Sequence, residues 1–283
     1  MKKIILNGCS WVAGDEIAWD LFCIENNLVG EDFYEFVTKD FAGVLSQYRY
    51  VFRPYHNLRS MLAQRLHTDV IDLSADGNSN DGMTINTMNY LLGLPKEERK
   101  NFHVIIGWTI LQRKALFLDD HWKSLHVGHY GEEKYKKHED RLLGAIVLDN
   151  NEDWYLNYFR NVMMLESFLK KENITFTFYR SLGSHSQFYN NSKLKISLKN
   201  TPNPKKDPFS LENFTYSSLD KDSWLSFYND DEFTLTCESW TTYMQEFIPN
   251  WQVNQKNKHP GRLAMNQLAD RMSQFIQQRN LLS

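Results

Sequence analysis

The sequence has few cysteines and no long apolar run. Its 283 residues include three cysteines, which are too few for a disulfide framework and are typical of a reducing compartment. No run approaches the ~18 apolar residues of a membrane span. The apolar run 4–6 near the start is too short for the core of a signal peptide. We therefore expect no membrane partner, and a location in the cytoplasm of a cell or in a particle assembled inside one.

The sequence also lacks a strong charge of either sign. It carries 32 basic and 35 acidic residues, for a formal net charge of −3. A basic surplus would attract the phosphates of nucleic acid or the surface of an anionic membrane, and none is present. The lysines between 193 and 206 lie in a polar stretch that is typical of a solvated loop. We therefore expect no nucleic-acid partner.

Apolar strand patterns alternate with helical patterns along the chain. Four segments have the composition of buried strands: 2–7, 69–73, 102–108 and 174–179. Helical spacing of apolar residues occurs at 53–67, 83–92, 153–171 and 261–279. A short fifth strand is expected at 224–227. This alternation predicts an α/β fold, a three-layer α/β/α sandwich with a mostly parallel sheet in flavodoxin-like order.

The domain prediction is one domain over 1–283, with helical and loop insertions at about 114–150 and 183–222. The first insertion contains four histidines, at positions 121, 126, 129 and 138. Their spacing fits no recognised zinc pattern, and no cysteine lies nearby. We therefore predict no metal and no cofactor.

Polar turns follow the first three predicted strands. Ser10 lies in the first turn, between Gly8 and Gly14, Gly77 and Asn78 lie in the second, and Gly107-Trp108-Thr109 forms the third. Ligands of such sheets bind beyond the carboxyl ends of the strands. A serine placed this way suits a nucleophile, although glycine-containing turns are common in α/β proteins. His259-Pro260 precedes the last predicted helix, so the histidine is expected at the same edge.

These blocks resemble those of the SGNH (GDSL-like) hydrolases, in the same order along nearly the whole chain. The start of the sequence and the run Gly77-Asn78-Ser79-Asn80 are similar to the bacteriophage-encoded subset of that family. The resemblance implies that Ser10 is a nucleophile activated by His259. It also implies an oxyanion hole formed by the backbone N–H groups of Ser10 and Gly77 and one side-chain donor.

The chain departs from the family pattern at two positions. Lys256 stands where the family has an aspartate three residues before the histidine, and Thr109 replaces the asparagine of the third block. A backbone carbonyl could orient His259 in place of the acid. The side-chain donor of the oxyanion hole is then Thr109 or Asn78, and Asn78 beside a glycine is also an ordinary turn residue.

Three further residues are candidates for substrate binding. Trp11 and Trp108 lie in the predicted turns, where they could stack on a sugar ring or cap the core. Arg113 follows Thr109 by four residues and would share a face with it if a helix begins there. Arg113 could then bind an anionic group of the substrate, or it could be a surface arginine.

The resemblance implies a serine esterase or deacylase that acts on a small acyl ester, with acyl groups on a carbohydrate as the expected class. The alternative is an SGNH-fold protein without turnover. It would serve as a structural or glycan-binding component of a phage particle, with virion or homo-oligomer contacts. Lys256 and Thr109 favour this alternative. Acyl transfer to an acceptor other than water is a third interpretation.

Overall fold

The computed structural model describes residues 1–13, 22, 25, 51, 53–75, 77–110, 113–118, 121–126, 151–182, 220–225, 227, 239–249 and 259–283. The strands are β1 (Lys3–Gly8), β2 (Val70–Asp72), β3 (Phe102–Trp108), β4 (Arg113–Leu118), β5 (His121–His126) and β6 (Thr175–Arg180). The helices are α1 (Ser10–Ala13), α2 (Leu58–Leu66), α3 (Asn80–Leu92), α4 (Lys96–Arg99), α5 (Asn151–Lys171), α6 (Trp240–Phe247) and α7 (Arg262–Gln278). Two single 3₁₀ turns span Arg53–Tyr55 and Lys221–Ser223.

Four strands form a parallel sheet in the order β2-β1-β3-β6. The central strand β1 pairs with β2 on one side and with β3 on the other, so that Ile5 lies between Ile71 and Val104. The side chains of Ile4, Ile5 and Leu6 are fully buried, as expected for a strand covered on both faces. The prediction of an α/β fold with a mostly parallel sheet is therefore confirmed.

Four of the helices pack in two pairs, and three of these four contact the sheet. Helices α2 and α7 contact each other, as do α3 and α5, and α2, α3 and α5 contact β2, β1 and β6 respectively. Helix α7 buries a stripe of apolar residues at helical spacing: Ala264, Met265, Leu268, Met272 and Ile276. The stacking of the two helix pairs on opposite faces, which would complete the sandwich, stays a prediction.

Side-chain caps decide where two of these helices begin. Asn57 caps α2 by accepting the N–H of Ser60, and Ser79 caps α3 by accepting the N–H of Gly82. The cap at Ser79 starts α3 at Asn80, three residues before the predicted start at Met83. Helix α3 therefore reaches the loop that follows β2.

The described part of the first insertion is an antiparallel hairpin of β4 and β5, in which Arg113 pairs with His126. Arg113 therefore begins a strand, and the helical geometry that would give it a common face with Thr109 is absent at this position. Residues 127–150 and 183–219, which make up most of both predicted insertions, lie outside the described part of the chain.

In the described part of 224–227, the expected fifth strand consists of one bridge and one backbone hydrogen bond to β6. Trp224 forms one parallel bridge with Phe178, and the N–H of Leu225 donates to the carbonyl of Phe178 at 2.9 Å. A 3₁₀ turn at Lys221–Ser223 immediately precedes this bridge, so an extended strand does not begin earlier. Among the helices that the structure describes, none is both long and apolar enough to cross a lipid bilayer.

Candidate active site at the carboxyl edge of the sheet

Ser10 lies in a tight turn between β1 and α1. The N–H groups of Val12 and Ala13 both donate to the carbonyl of Cys9, at 2.8 and 2.9 Å. A Cβ added to Gly8 would lie 2.2 Å from Cγ2 of Val12, so the turn needs glycine because the chain folds back on itself. Ser10 itself is 4% exposed. Gly14 lies outside the described residues.

His259 contacts Ser10 across 249 positions of sequence. Its Nε2 atom lies 3.1 Å from Oγ of Ser10, within hydrogen-bond reach. The ring of Trp11 lies against the same histidine, with 5.8 Å between centroids and 45° between the planes. The structure thus brings together the two residues that the sequence predicts as nucleophile and base. Position 256, where the family has its acid, is outside the described residues.

Gly77 adopts a left-handed backbone conformation beside the end of β1. Its φ is +68°, and an added Cβ would meet no atom within 4 Å. The backbone conformation, and not packing, therefore requires glycine at this position. The N–H of Ala75 donates to the carbonyl of Gly8 at 3.1 Å, which ties the loop to the strand that carries Ser10.

The side chain of Asn78 is directed at β1. Its Nδ2 atom donates to Oδ1 of Asn7 at 3.2 Å and to the carbonyl of Gly8 at 3.4 Å. An amide nitrogen has two N–H groups, and these two bonds use both of them. Asn78 therefore braces the loop against β1, and its predicted place in the oxyanion hole stays a prediction.

Asn80 holds the turn after β3, a role that the sequence reasoning missed. Its Oδ1 accepts the N–H of Thr109 at 2.9 Å, and its Nδ2 donates to the carbonyls of Thr109 and Ile110, both at 3.3 Å. The side chain of Asn80 therefore acts as a bracket around this turn. The sequence signal for this role is an asparagine directly after the serine that caps α3.

Thr109 presents a buried hydroxyl at the same edge. The residue is 2% exposed, and its Oγ1 has no hydrogen-bond partner among the described residues. A buried polar atom without a partner costs about 1–3 kcal/mol, and a bound oxyanion would supply the missing partner. Its hydroxyl is therefore a better side-chain candidate for the oxyanion hole than the Asn78 amide.

The end of β3 packs tightly beneath α1. A Cβ added to Gly107 would lie 2.6 Å from both the hydroxyl of Tyr179 and Cγ2 of Val12. Tyr179 is fully buried, and burial raises the pKa of its hydroxyl well above the usual value, so that it stays protonated. The glycine near the end of β3 thus allows α1 and β6 to approach each other.

The two tryptophans of the predicted site have different surroundings. Trp108 is 1% exposed and packs edge-to-face against Tyr158 and Phe178, with centroid distances of 5.9 and 5.3 Å. It is therefore a core residue, and its predicted place among the substrate-binding residues is corrected. Trp11 is 9% exposed and lies against His259.

Arg113 reaches the loop beside Gly77 although it begins a strand. Its Nη1 donates to the carbonyl of Asn78 at 3.4 Å. The N–H of Ala115, two residues later, donates to Oδ2 of Asp81 at 3.3 Å, which holds β4 against the start of α3. The hairpin, and not a helix, therefore carries Arg113 to the candidate site.

A metal centre has no support within the described ranges, where no group of three or more histidine, cysteine or acidic side chains is arranged to hold an ion. His129 and His138 of the first insertion lie outside those ranges. No protein-family model matches this chain, and a search of curated proteins finds no match.

Proposed function

We propose that this protein is a serine ester hydrolase of the SGNH (GDSL-like) type. The observation that carries the proposal is the distance of 3.1 Å between Oγ of Ser10 and Nε2 of His259. A serine hydroxyl is a weak nucleophile at neutral pH, and a histidine at this distance can remove its proton as the new bond forms. Two features of the backbone also favour the proposal. The turn that carries Ser10 is buried, and Gly77, in the adjacent loop, has a left-handed conformation.

In the first half of the reaction, Oγ of Ser10 attacks the carbonyl carbon of the ester. His259 accepts the hydroxyl proton on Nε2 and then delivers it to the oxygen of the departing alcohol. The carbon–oxygen bond to the alcohol breaks, and the acyl group remains on Ser10. In the second half, His259 removes a proton from water as its oxygen attacks the acyl carbon. The bond from that carbon to Oγ of Ser10 then breaks, His259 returns the proton to Oγ, and the carboxylic acid and the free serine are released.

The negative charge on the carbonyl oxygen needs donors at the same edge of the sheet. We assign this role to the backbone N–H groups of Ser10 and Gly77 and to the hydroxyl of Thr109. Support comes from the buried, unpartnered Oγ1 of Thr109 and from the bracket that Asn80 forms around its backbone. Removal of one oxyanion donor typically lowers the rate by about 10²–10³-fold.

The group that orients His259 in the SGNH hydrolases is missing from its usual position in this sequence, which lowers the expected rate of catalysis. Lys256 occupies the position of the family's aspartate. Loss of that acid costs about 10⁴ in rate in a serine protease, because it holds the correct tautomer of the histidine. We therefore propose slow turnover of small acyl esters, with acyl groups on a carbohydrate as the substrate class and Trp11 as the ring beside the bound substrate.

A second candidate function is favoured by the same substitution. With Lys256 and without the family's asparagine at Thr109, the fold would serve as a structural or glycan-binding component of a phage particle. Virion or homo-oligomer contacts belong to this second proposal, whereas a cytoplasmic location belongs to the first. A measurement of ester hydrolysis distinguishes the second proposal from the first.

The test uses the whole protein with 4-nitrophenyl acetate and, separately, with a fluorophosphonate probe that labels activated serines. We expect turnover and labelling in the wild type and loss of both by at least about 10²-fold in Ser10→Ala and His259→Ala. The matched control is Ser283→Ala, because Ser283 lies far from Ser10 in sequence and its hydroxyl donates to the carbonyl of Asn280, the one side-chain bond that it makes within the described residues.

Two results would end the hydrolase proposal. One is an unlabelled wild type that does not hydrolyse the ester. The other is turnover that Ser10→Ala and His259→Ala leave unchanged, since the activity would then come from elsewhere. In either case the binding function is the remaining candidate.

A further inference from the structure

Arg113 carries a positive charge that no described carboxylate neutralises. Within the described part of the chain, its side chain makes one hydrogen bond, the 3.4 Å contact from Nη1 to the carbonyl of Asn78. Its Nε atom is buried, and no described residue forms a hydrogen bond with it. A half-buried guanidinium loses part of its hydration, and it is normally compensated by an acidic partner.

The carboxylate that β4 does contact is already occupied. Oδ1 of Asp81 accepts from the side-chain amides of Asn157 and Asn161, at 2.9 and 2.6 Å. Its Oδ2 accepts the backbone N–H of Ala115 at 3.3 Å. The donors that bond Asp81 are therefore neutral, although the positively charged Arg113 lies on β4, two residues before Ala115.

The position of Arg113 is held by backbone contacts. Strand β4 is fixed at Ala115 by Asp81, and the guanidinium is held at the carbonyl of Asn78. That carbonyl belongs to the residue next to Gly77, whose N–H we assign to the oxyanion hole. The Asn78 side chain in turn bonds the carbonyl of Gly8, two residues before Ser10. A connected set of contacts thus leads from the charge to the nucleophile.

A surface arginine would have a different environment. Arg279, at the far end of α7, is exposed and lies over the ring of Phe275 at 4.1 Å, so water solvates its charge. Arg99 is shielded and is paired with Glu172 at 3.0 Å. Arg113 is half-buried and has neither arrangement. An arginine fork with free N–H groups matches an oxyanion such as a carboxylate or phosphate, which it can bind through two parallel bonds.

We propose that Arg113 is an anion-binding residue of the active site and that the ester substrate carries an oxyanion group, a carboxylate or a phosphate. This proposal rests on the proposed hydrolase function and names the substrate class within it. The anionic group binds the guanidinium beside the Gly77-Asn78 loop while the ester carbonyl lies at Ser10. Arg113 then determines specificity and does not take part in the bond-making steps.

The experiment compares a neutral ester, 4-nitrophenyl acetate, with an anionic one, mono-4-nitrophenyl succinate. We expect Arg113→Gln to lower kcat/KM for the anionic ester by about 10–100-fold and that for the neutral ester by less than about threefold. Arg113→Lys keeps the charge but not the fork, so its loss should be intermediate. Arg279→Gln removes the same charge far from the site and should leave both values unchanged.

Binding is measured separately from turnover, by calorimetric titration of the wild type and both glutamine variants with succinate and with inorganic phosphate. Saturable binding that is lost in Arg113→Gln and kept in Arg279→Gln supports the anion site even if neither ester is hydrolysed. Anion binding of this kind without hydrolysis of either ester would contradict the hydrolase proposal and leave the anion-site proposal standing. The anion that binds more tightly identifies the group on the substrate.

The specificity proposal is overturned by equal losses on both esters in Arg113→Gln. It is also overturned if the wild type binds neither succinate nor phosphate. Urea unfolding of Arg113→Gln must give the wild-type midpoint, which excludes a general loss of structure. A variant that fails this check is replaced by Arg113→Lys, for which the intermediate loss of preference for the anionic ester is required.

Discussion

Two glycines near Ser10 leave no room for a methyl group. A Cβ on Gly8 would meet both Cγ2 and Cβ of Val12, at 2.2 and 2.4 Å. A Cβ on Gly107 would meet the buried hydroxyl of Tyr179 at 2.6 Å. Because neither Val12 nor Tyr179 can move without displacing α1 or β6, the positions of these glycines and of the nucleophile are linked.

Replacing Gly8 by alanine should therefore affect both stability and activity. We expect Gly8→Ala to lower the free energy of unfolding by about 1–3 kcal/mol, the usual cost of overpacking, and to displace Ser10 from His259. The measurements are the urea midpoint and the rate of labelling by the fluorophosphonate. An alanine tolerated at Gly8 with full labelling would contradict the close approach of Val12.

Gly93 provides the matched control for this substitution. It has a right-handed backbone with φ of −69°, and an added Cβ would lie no closer than 3.4 Å to any described atom. Gly93→Ala should therefore be neutral or stabilise by about 0.4–1 kcal/mol, through the loss of freedom in the unfolded chain.

At the scale of elements, the side chain of Asp81 joins two helices and a hairpin. It lies in the first turn of α3 and accepts from Asn157 and Asn161 on α5 and from Ala115 on β4. Arg160 in turn donates to Asn157. One carboxylate therefore sets how α5 and the β4–β5 hairpin lie against α3, and through β4 it sets the position of Arg113.

Asp81→Ala should loosen this junction. Three donors would lose their acceptor, and we expect a loss of about 1–3 kcal/mol in the free energy of unfolding. Hydrogen exchange should also become faster at the Ala115 amide. The control is Asp270→Ala, which removes an ion pair with Arg65 at a residue whose side chain is 57% exposed and should cost below about 1 kcal/mol. Equal effects of the two substitutions would contradict the role of Asp81.

At the scale of the whole molecule, a buried histidine joins the sheet to both ends of the described chain. The ring nitrogens of His103 on β3 lie 3.0 Å from the hydroxyls of Thr175 and Thr177 on β6. Thr175 also donates to the carbonyl of Leu281 and receives a bond from Lys2. This network lies at the amino edge of the sheet, opposite the candidate active site, so its effect is on stability.

The network makes stability depend on pH. Burial, and secondarily the charge of Lys2, lowers the pKa of His103 to about 3. The unfolded chain binds this proton near pH 6.5 and the folded chain does not, so stability present above pH 6.5 is lost as the pH falls towards 3. At 1.36 kcal/mol per pKa unit, the loss is on the order of 4 kcal/mol.

Urea unfolding at pH 7 and pH 4 tests this, with His103→Gln as the comparison. We expect the wild type to lose more stability between the two pH values than the variant does. Burial raises the pKa of Asp72, which acts in the opposite direction, but Asp72 is present in both proteins and cancels in the difference. An equal loss in both proteins, or a His103 resonance that titrates near pH 6.5 in the folded state, would contradict the prediction.

Much of the fold could be predicted from the sequence because its signals are local. The buried strands β1 and β3 and the long helices α5 and α7 follow from runs and spacings of apolar residues, and the structure places them within a few residues of the prediction. The short fifth strand was predicted on weaker grounds and is a single bridge. Three or four apolar residues cannot specify a strand without neighbours to pair with.

The sequence by itself determined the parallel sheet and the edge where Ser10 and His259 meet, because alternating strands and helices place the turns after all parallel strands together. Only the tertiary structure decided which side chains of those turns face the site. The side chain of Asn78 bonds β1, and Trp108 packs in the core. Arg113, on the β4–β5 hairpin, contacts the loop that follows β2. The reason is physical: local pattern sets the backbone, but a polar side chain's direction depends on partners distant in sequence.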